Sequence, residues 1–227
     1  MDKRVEFFQG VKAELPLMLG VVPFGLIFGA LAVKSGIPAA IGQAMSSVVF
    51  AGSAQYIAAQ LLGTGTSGLV VLMVVFVVNL RHALYSASVA PHIRHLSPGW
   101  KLLLSYLLTD EAYAVTITYL VSGKRSAAAH WYFLGAGLTL WTFWQVSTAI
   151  GIFIGAQVPQ SWPLGFALPL TFIALVVPAL TDRAGVIAAL AAGLIGVAAG
   201  GLPLKTGLLL AAFTGIAVGM LVEGKKR

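Results

Sequence analysis

The sequence predicts an all-α, polytopic transmembrane helical bundle, and three observations predict it. Of 227 residues, 59% are hydrophobic and only 9% are charged. Mean hydropathy is +0.93. Soluble domains carry about 25% charged residues, so a chain this apolar uses lipid as its solvent. The third observation is periodic: apolar runs recur at the length of about 20 residues that a helix needs to cross hydrocarbon. The chain has room for about seven or eight such spans.

The runs fall at 15–33, 37–62, 67–80, 100–121, 130–155, 163–180, 184–200 and 204–222, with an irregular stretch expected at 81–96. Connecting segments are short, so residues 1–227 read as a single integral membrane domain without a convincing internal repeat. Lys3, Arg4 and Lys12 precede the first run, and Ala30-Leu31-Ala32 imitates a signal-peptidase site. However, the run is long enough to span and reads as an anchor. With eight full spans and the N-terminus inside, nine of the fourteen Lys and Arg residues face the cytoplasm. That arrangement, with both termini cytoplasmic in the inner membrane, satisfies the positive-inside bias. If 37–62 were re-entrant, the count would tie, and the segment 81–101 fits the eight-span scheme worst.

Composition removes several functions. The formal charge of +7 is scattered over segments between spans, as expected for contact with anionic lipid, and forms no nucleic-acid patch. Cysteine is absent, which excludes disulfides and thiolate chemistry. His92 and His95 have metal-ligand spacing but lie between Pro91 and Pro98 with no carboxylate nearby, so neither a metal nor a cofactor is expected. A buried hydrolase triad from Ser53 or Ser86 with His82 and Asp110 is conceivable. Nothing in the spacing requires it, and the chain does not read as an enzyme.

Polar residues inside apolar runs are costly, by about 2.5–3.5 kcal/mol for a charge at mid-bilayer, and three clusters carry that cost. The first is Phe50-Ala51-Gly52-Ser53-Ala54-Gln55-Tyr56. Gly, Ser and Gln together weaken a helix there, and a helix broken near 51–54 would aim a positive half-helix N-terminus at an anion. The plainer reading is a polar contact between packed helices. The second is Asn79-Leu80-Arg81-His82-Ala83-Leu84-Tyr85, expected near the membrane edge. Arg81 and Tyr85 would share a helical face at i, i+4, and a guanidinium clamps a carboxylate well; a snorkelling helix end is the alternative. The third is Thr109-Asp110-Glu111-Ala112-Tyr113, expected at the centre of one span. Adjacent carboxylates on a helix point about 100° apart, so they serve different contacts. Either one pairs with Arg81, or one carries a proton. Trp141, Trp144 and Gln145 also lie mid-span, as packing or as a pocket wall.

Glycines at Gly25/Gly29, Gly151/Gly155, Gly196/Gly200 and Gly215/Gly219 have the spacing that lets helix backbones approach closely.

In order and spacing, the three polar clusters resemble the AzlC family, the large subunit of branched-chain amino-acid exporters. The resemblance covers nearly the whole chain, with the specific signal in its first half. It implies export of valine, leucine, isoleucine and methionine, and a small AzlD-like membrane subunit as partner. A channel or carrier for another small solute or ion is the alternative. On the matching positions, elementary chemistry assigns roles. Gly52 and Ser53 N–H groups or Arg81 suit the substrate carboxylate, Asp110 or Glu111 suits its ammonium, and Gln55, Asn79 and Tyr85 complete the polar lining. No G-x-x-x-x-G-K-[ST] motif is present, so export would draw on the proton-motive force, with Asp110, Glu111 and His82 as proton carriers.

Overall fold

A computed structural model describes residues 2–122, 128–157, 180, 182–202 and 206–224. The chain divides into two compact units, Met1–Trp162 and Pro163–Arg227. All regular structure among the described residues is helical, as the sequence predicts. The expected span at 163–180 lies almost entirely outside the described residues.

In the first unit the order is α1 (Lys3–Glu14), a 3-10 turn (Leu15–Leu17), α2 (Met18–Lys34), α3 (Ala39–Val49), α4 (Gly52–Gly63), α5 (Gly68–Ile93), α6 (Pro98–Tyr106), α7 (Asp110–Val121) and α8 (Ala129–Gly155). Among the described residues three helical runs are long and apolar enough to cross a membrane: Lys3–Lys34, Gly68–Ile93 and Ala129–Gly155. The remaining four helices of this unit have 9 to 12 residues. At 1.5 Å per residue each reaches about half-way through a 30 Å hydrocarbon layer.

Contacts along α2 and α8 show what the short helices do. Gly42 of α3 lies against Ala32 and Ile152, whereas Gly52 at the start of α4 lies against Phe24 and Trp144. By Gly63 the chain is back beside Ser35. Met45 of α3 packs on the cluster that Ala58 and Leu61 of α4 form with Val71 and Val74. Helices α3 and α4 are therefore a re-entrant hairpin, which corrects the expectation that 37–62 is a full span. Its tip is Phe50, at φ 40° and ψ 47°, followed by extended Ala51. This is the helix break expected near 51–54.

A second hairpin enters from the opposite face. Trp100 of α6 meets His130 and Trp131 at the start of α8, and Leu107 is beside Gly137, further along the same helix. α7 then returns, so that Tyr119 stacks on Tyr132 with ring centroids 4.0 Å apart. The expectation of one span over 100–121 is thus corrected. Thr109 is extended and precedes a new helix, and an acid-rich first turn is favourable at the positive end of a helix.

The irregular stretch expected at 81–96 is also corrected. α5 continues unbroken to Ile93, through Pro91 in its last turn. The polar residues after Asn79 keep the helical period: Arg81, Tyr85 and Ser88 share the face towards the hairpins, while Leu80 and Leu84 point outward. Arg81 consequently lies at the middle of a 26-residue helix, not at the membrane edge.

After α2 the unit runs twice through a hairpin followed by a long helix, the second time in the opposite direction. Hairpin one, with arms of 11 and 12 residues, leads into α5 of 26. Hairpin two, with arms of 9 and 12, leads into α8 of 27, and α8 runs opposite to α5. Helices α2 and α8 lie side by side in the same direction, joined where the paired glycines meet. Gly25 faces Ser147, Gly29 faces Thr148 and Gly151, and Gly155 faces Ala30.

In the second unit, α9 (Arg183–Ala198) is capped by Asp182, whose Oδ1 accepts from Gly185 N at 2.9 Å. It packs antiparallel on α10 (Thr206–Gly224): Gly207 meets Ala199, and Gly215 meets Ala192 and Ala188.

Candidate functional site: the meeting point of two hairpin tips

Helices α4 and α7 begin at the two tips, so their first-turn N–H groups, which have no intrahelical acceptor, arrive at one depth. Arg81 joins the tips. Its Nη1 is 2.6 Å from Asp110 Oδ2 and its Nη2 donates to Ser53 Oγ at 3.0 Å. Tyr85, one turn along α5, donates its hydroxyl to Asp110 Oδ1 at 2.8 Å. Tyr113 stacks on Tyr85 at 4.4 Å and bonds Ser88 at 3.1 Å. Two different helix starts thus supply the partners of one guanidinium. The pair is not sealed: the side chains of Arg81 and Asp110 remain 29% and 35% accessible.

A second link joins the tips through Tyr106. Its hydroxyl donates to the Ser47 carbonyl and accepts from Trp141 Nε1 at 2.7 Å. Its ring faces Phe50 at 5.7 Å. Tyr106→Phe removes one donor and one acceptor, and is expected to lower the melting temperature in detergent by a few degrees, about 1 kcal/mol. An unchanged melting temperature would show that the link contributes nothing.

Of the other residues singled out in sequence, His82 stands beside the site. Its Nδ1 is 3.2 Å from the Asn79 carbonyl and its ring is edge-on to Tyr85. The Asn79 Oδ1 is buried without a partner. Glu111, next to Asp110 in the first turn of α7, is within electrostatic reach of Asp110 and Arg81 and also of Glu14 of α1. Gly52 and Gln55 serve the tip itself. Gln55 Oε1 accepts from Ala51 N at 3.2 Å, and Gly52 admits the Phe24 and Trp144 rings. Trp144 and Gln145 are both buried. Trp144 belongs to an aromatic core with Phe24, Phe28 and Tyr56. Gln145 ties hairpin one to α8, accepting from Gln43 Nε2 and Ser47 Oγ, each at 2.9 Å, and donating to the Ser46 carbonyl at 3.1 Å.

Sequence reading missed Glu6 and Glu14, which precede the first apolar run. Both are fully buried. The signal available was their spacing of eight in a run that is helical from Lys3.

Beside the site, a cavity of about 290 Å³ opens between α5 and α6. It is lined by Ser86, Val89, Leu104, Leu108 and Phe133, with Arg94 and Lys101 at its rim. Among the described residues no group of three or more His, Cys, Asp or Glu is placed to hold a metal ion.

Among the described residues, three helical runs long and apolar enough to cross a membrane and two opposed short-helix hairpins, with an ion pair where the tips meet, define a polytopic helical membrane protein. The AzlC protein family model matches residues 16–158, and the chain belongs to the AzlC family. It is 29% identical over 199 residues to the inner membrane protein YgaZ of Escherichia coli (strain K12), covering 84% of this chain and 81% of that one. An uncharacterized membrane protein of Archaeoglobus fulgidus is 27% identical over 187 residues, covering 81% and 80%. The branched-chain amino acid transport protein AzlC of Bacillus subtilis (strain 168) is 25% identical over 180 residues, covering 77% and 70%. No solved structure matches the chain.

Proposed function

We propose that this protein is a secondary transporter that exports branched-chain amino acids across the inner membrane, and that Arg81 and Asp110 hold the substrate zwitterion. The single observation that carries this reading is the ion pair between them, half-way along α5 and shared by two helix starts. A zwitterion matches such a pair. Its carboxylate replaces Asp110 on Arg81, assisted by first-turn N–H groups of α4 and α7, and its ammonium takes the freed Asp110. Two charges already compensated are exchanged for two compensated pairs, so little desolvation cost is added. Tyr85 and Ser53 would orient the exchanged groups. The name of the Bacillus subtilis relative supports the substrate class, and the apolar cavity beside Leu104 and Leu108 suits a branched tail.

The N-terminal end of the first unit is proposed as cytoplasmic. Among its described residues Lys3, Arg4, Lys12, Arg94 and Lys101 lie towards that end, against Lys34 alone towards the other. Re-entrance of both hairpins removes the misfit of segment 81–101 with the charge bias. With the C-terminus, for which the charge count over Lys225, Lys226 and Arg227 is the basis, both termini are proposed inside. The hairpins, entering from opposite faces, provide the two gates that alternating access requires. Proton antiport is the proposed energy source, and a small AzlD-like subunit the proposed partner.

The test is uptake of labelled leucine into inside-out vesicles, with this chain alone and with an AzlD-like subunit. Accumulation that follows an imposed pH gradient, is competed by valine and isoleucine and fails in Asp110→Asn is the expected result. Folded protein that moves no leucine under either condition would refute the substrate assignment and favour a carrier for another small solute.

A further inference from the structure

A column of buried acids and phenols connects the hairpin site to the N-terminal face, and nothing in the zwitterion site uses it. Glu14 of α1 has no accessible surface, and neither of its carboxylate oxygens has a hydrogen-bond partner. It is within electrostatic reach of Glu111, in the first turn of α7 beside Asp110. Eight residues back on α1, about 12 Å along the axis, Glu6 is buried as completely. Its Oε2 accepts from the Tyr119 hydroxyl at 2.7 Å, while Oε1 has no partner. Tyr132 of α8 interacts electrostatically with both Glu14 and Glu6 and stacks on Tyr119. Tyr119 in turn lines a cavity of about 370 Å³ with His92, Arg94, His95 and His130 at the N-terminal face.

Why α1 holds two acids in such a place is not explained by packing. Gly10 lets α1 press against the α8 backbone at Tyr132 and Ala136, and Gly135 returns the contact at Phe7 and Val11. Among the described residues, no cation is placed against Glu14. The groups facing it are Glu111 from α7 and Tyr132 from α8, while Lys12 of its own helix is exposed. An unpaired buried carboxylate is expensive. A carboxyl without structural hydrogen bonds has none to break when its proton leaves or arrives.

We propose that Glu14 and Glu6 form the proton path between the transport site and the cytoplasmic face, so that Glu111 exchanges protons with the cytoplasm through them. A proton on Glu111 passes to the Glu14 carboxylate, then by the Tyr132 hydroxyl to Glu6. The Tyr119 hydroxyl, which donates to Glu6 Oε2, turns and releases its proton to the cavity as it accepts the proton of Glu6. Each acid that gives up its proton is reloaded from the one before, and the net transfer is one proton. The proposal rests on the proton-antiport reading given under Proposed function.

The experiment separates net transport from exchange in proteoliposomes with an internal pH dye and labelled leucine. For Glu14→Gln and Glu6→Gln, proton movement and leucine flux driven by a pH gradient are expected to fall about tenfold or more. Exchange of leucine for leucine at equal pH, which needs no proton release, is expected to stay within about twofold of the parent. Glu14→Asp, with a shorter carboxyl, is expected to recover part of the driven flux. Driven flux retained in both glutamine variants would overturn the proposal. So would exchange lost in step with driven flux in variants that elute and melt as the parent does, since the acids would then serve binding. If the parent protein transports leucine without regard to the pH gradient, the antiport reading itself fails, and the proton path with it.

Discussion

Arg81→Ala is expected to reduce leucine transport to background and to destabilise the protein by about 1–3 kcal/mol. Removing one member of a fully buried pair costs about 3–5 kcal/mol, because a lone charge remains. The lower figure follows from the third of each side chain that stays accessible. Asp110→Asn is expected to have a similar effect on transport. The double variant Arg81→Ala/Asp110→Ala, with no charge left unpaired, is expected to be more stable than Arg81→Ala alone yet equally inactive. Arg81→Lys separates charge from shape. An ammonium on a flexible stem cannot reproduce the fork that reaches Ser53 and Asp110 together. A substantial loss of leucine binding is expected despite the retained charge. Measurement needs only melting curves in detergent and vesicle uptake for the four variants. If Arg81→Lys transported normally, the joining of the two tips by one guanidinium would have no functional weight.

The second large effect concerns the frame that holds the hairpins. Gly151→Leu places a side chain where the Leu26 backbone already stands, and Gly29 is confronted by the backbone of Thr148 and Gly151. Backbone in a close-packed pair of helices has nowhere to move. Overpacking that flexible side chains absorb costs about 1–3 kcal/mol, and this clash exceeds it. Gly151→Leu is therefore expected to yield little monodisperse protein, and Gly151→Ala to melt well below the parent. Gly20 lies on the same helix α2 with nothing within 4 Å. Gly20→Ala is expected to be neutral or to add up to about 1 kcal/mol, since glycine is the poorer helix former. Equal elution and melting of Gly151→Leu and Gly20→Ala would refute the contact between α2 and α8.

The site was partly legible beforehand. Arg81, Asp110, Tyr85 and Ser53 were singled out because charge and hydroxyl in an apolar run need a partner, and they meet. Thr109 followed by two acids is a helix-start signal. It was outweighed by the hydropathy of 100–121, which averages over the break. Sequence reading puts Arg81 at a membrane edge because the apolar run ends at Leu80, whereas α5 continues and turns Arg81, Tyr85 and Ser88 to one face. Glu6 and Glu14 were overlooked because burial is a property of neighbours: only Gly10 meeting the backbone at Tyr132, and Gly135 that at Phe7, make that stretch of α1 dry.

The sequence by itself determined the solvent, the helical class and the membership in the AzlC family, because these depend on composition and the order of residues along the chain. Only the tertiary structure decided which apolar runs cross and which turn back. Two half-membrane helices joined by a tip contain the same number of apolar residues as one full span, so hydropathy cannot tell them apart. Direction is set by which surfaces they pack against, here the aromatic core at Phe24 and Trp144 for one hairpin and the early turns of α8 for the other.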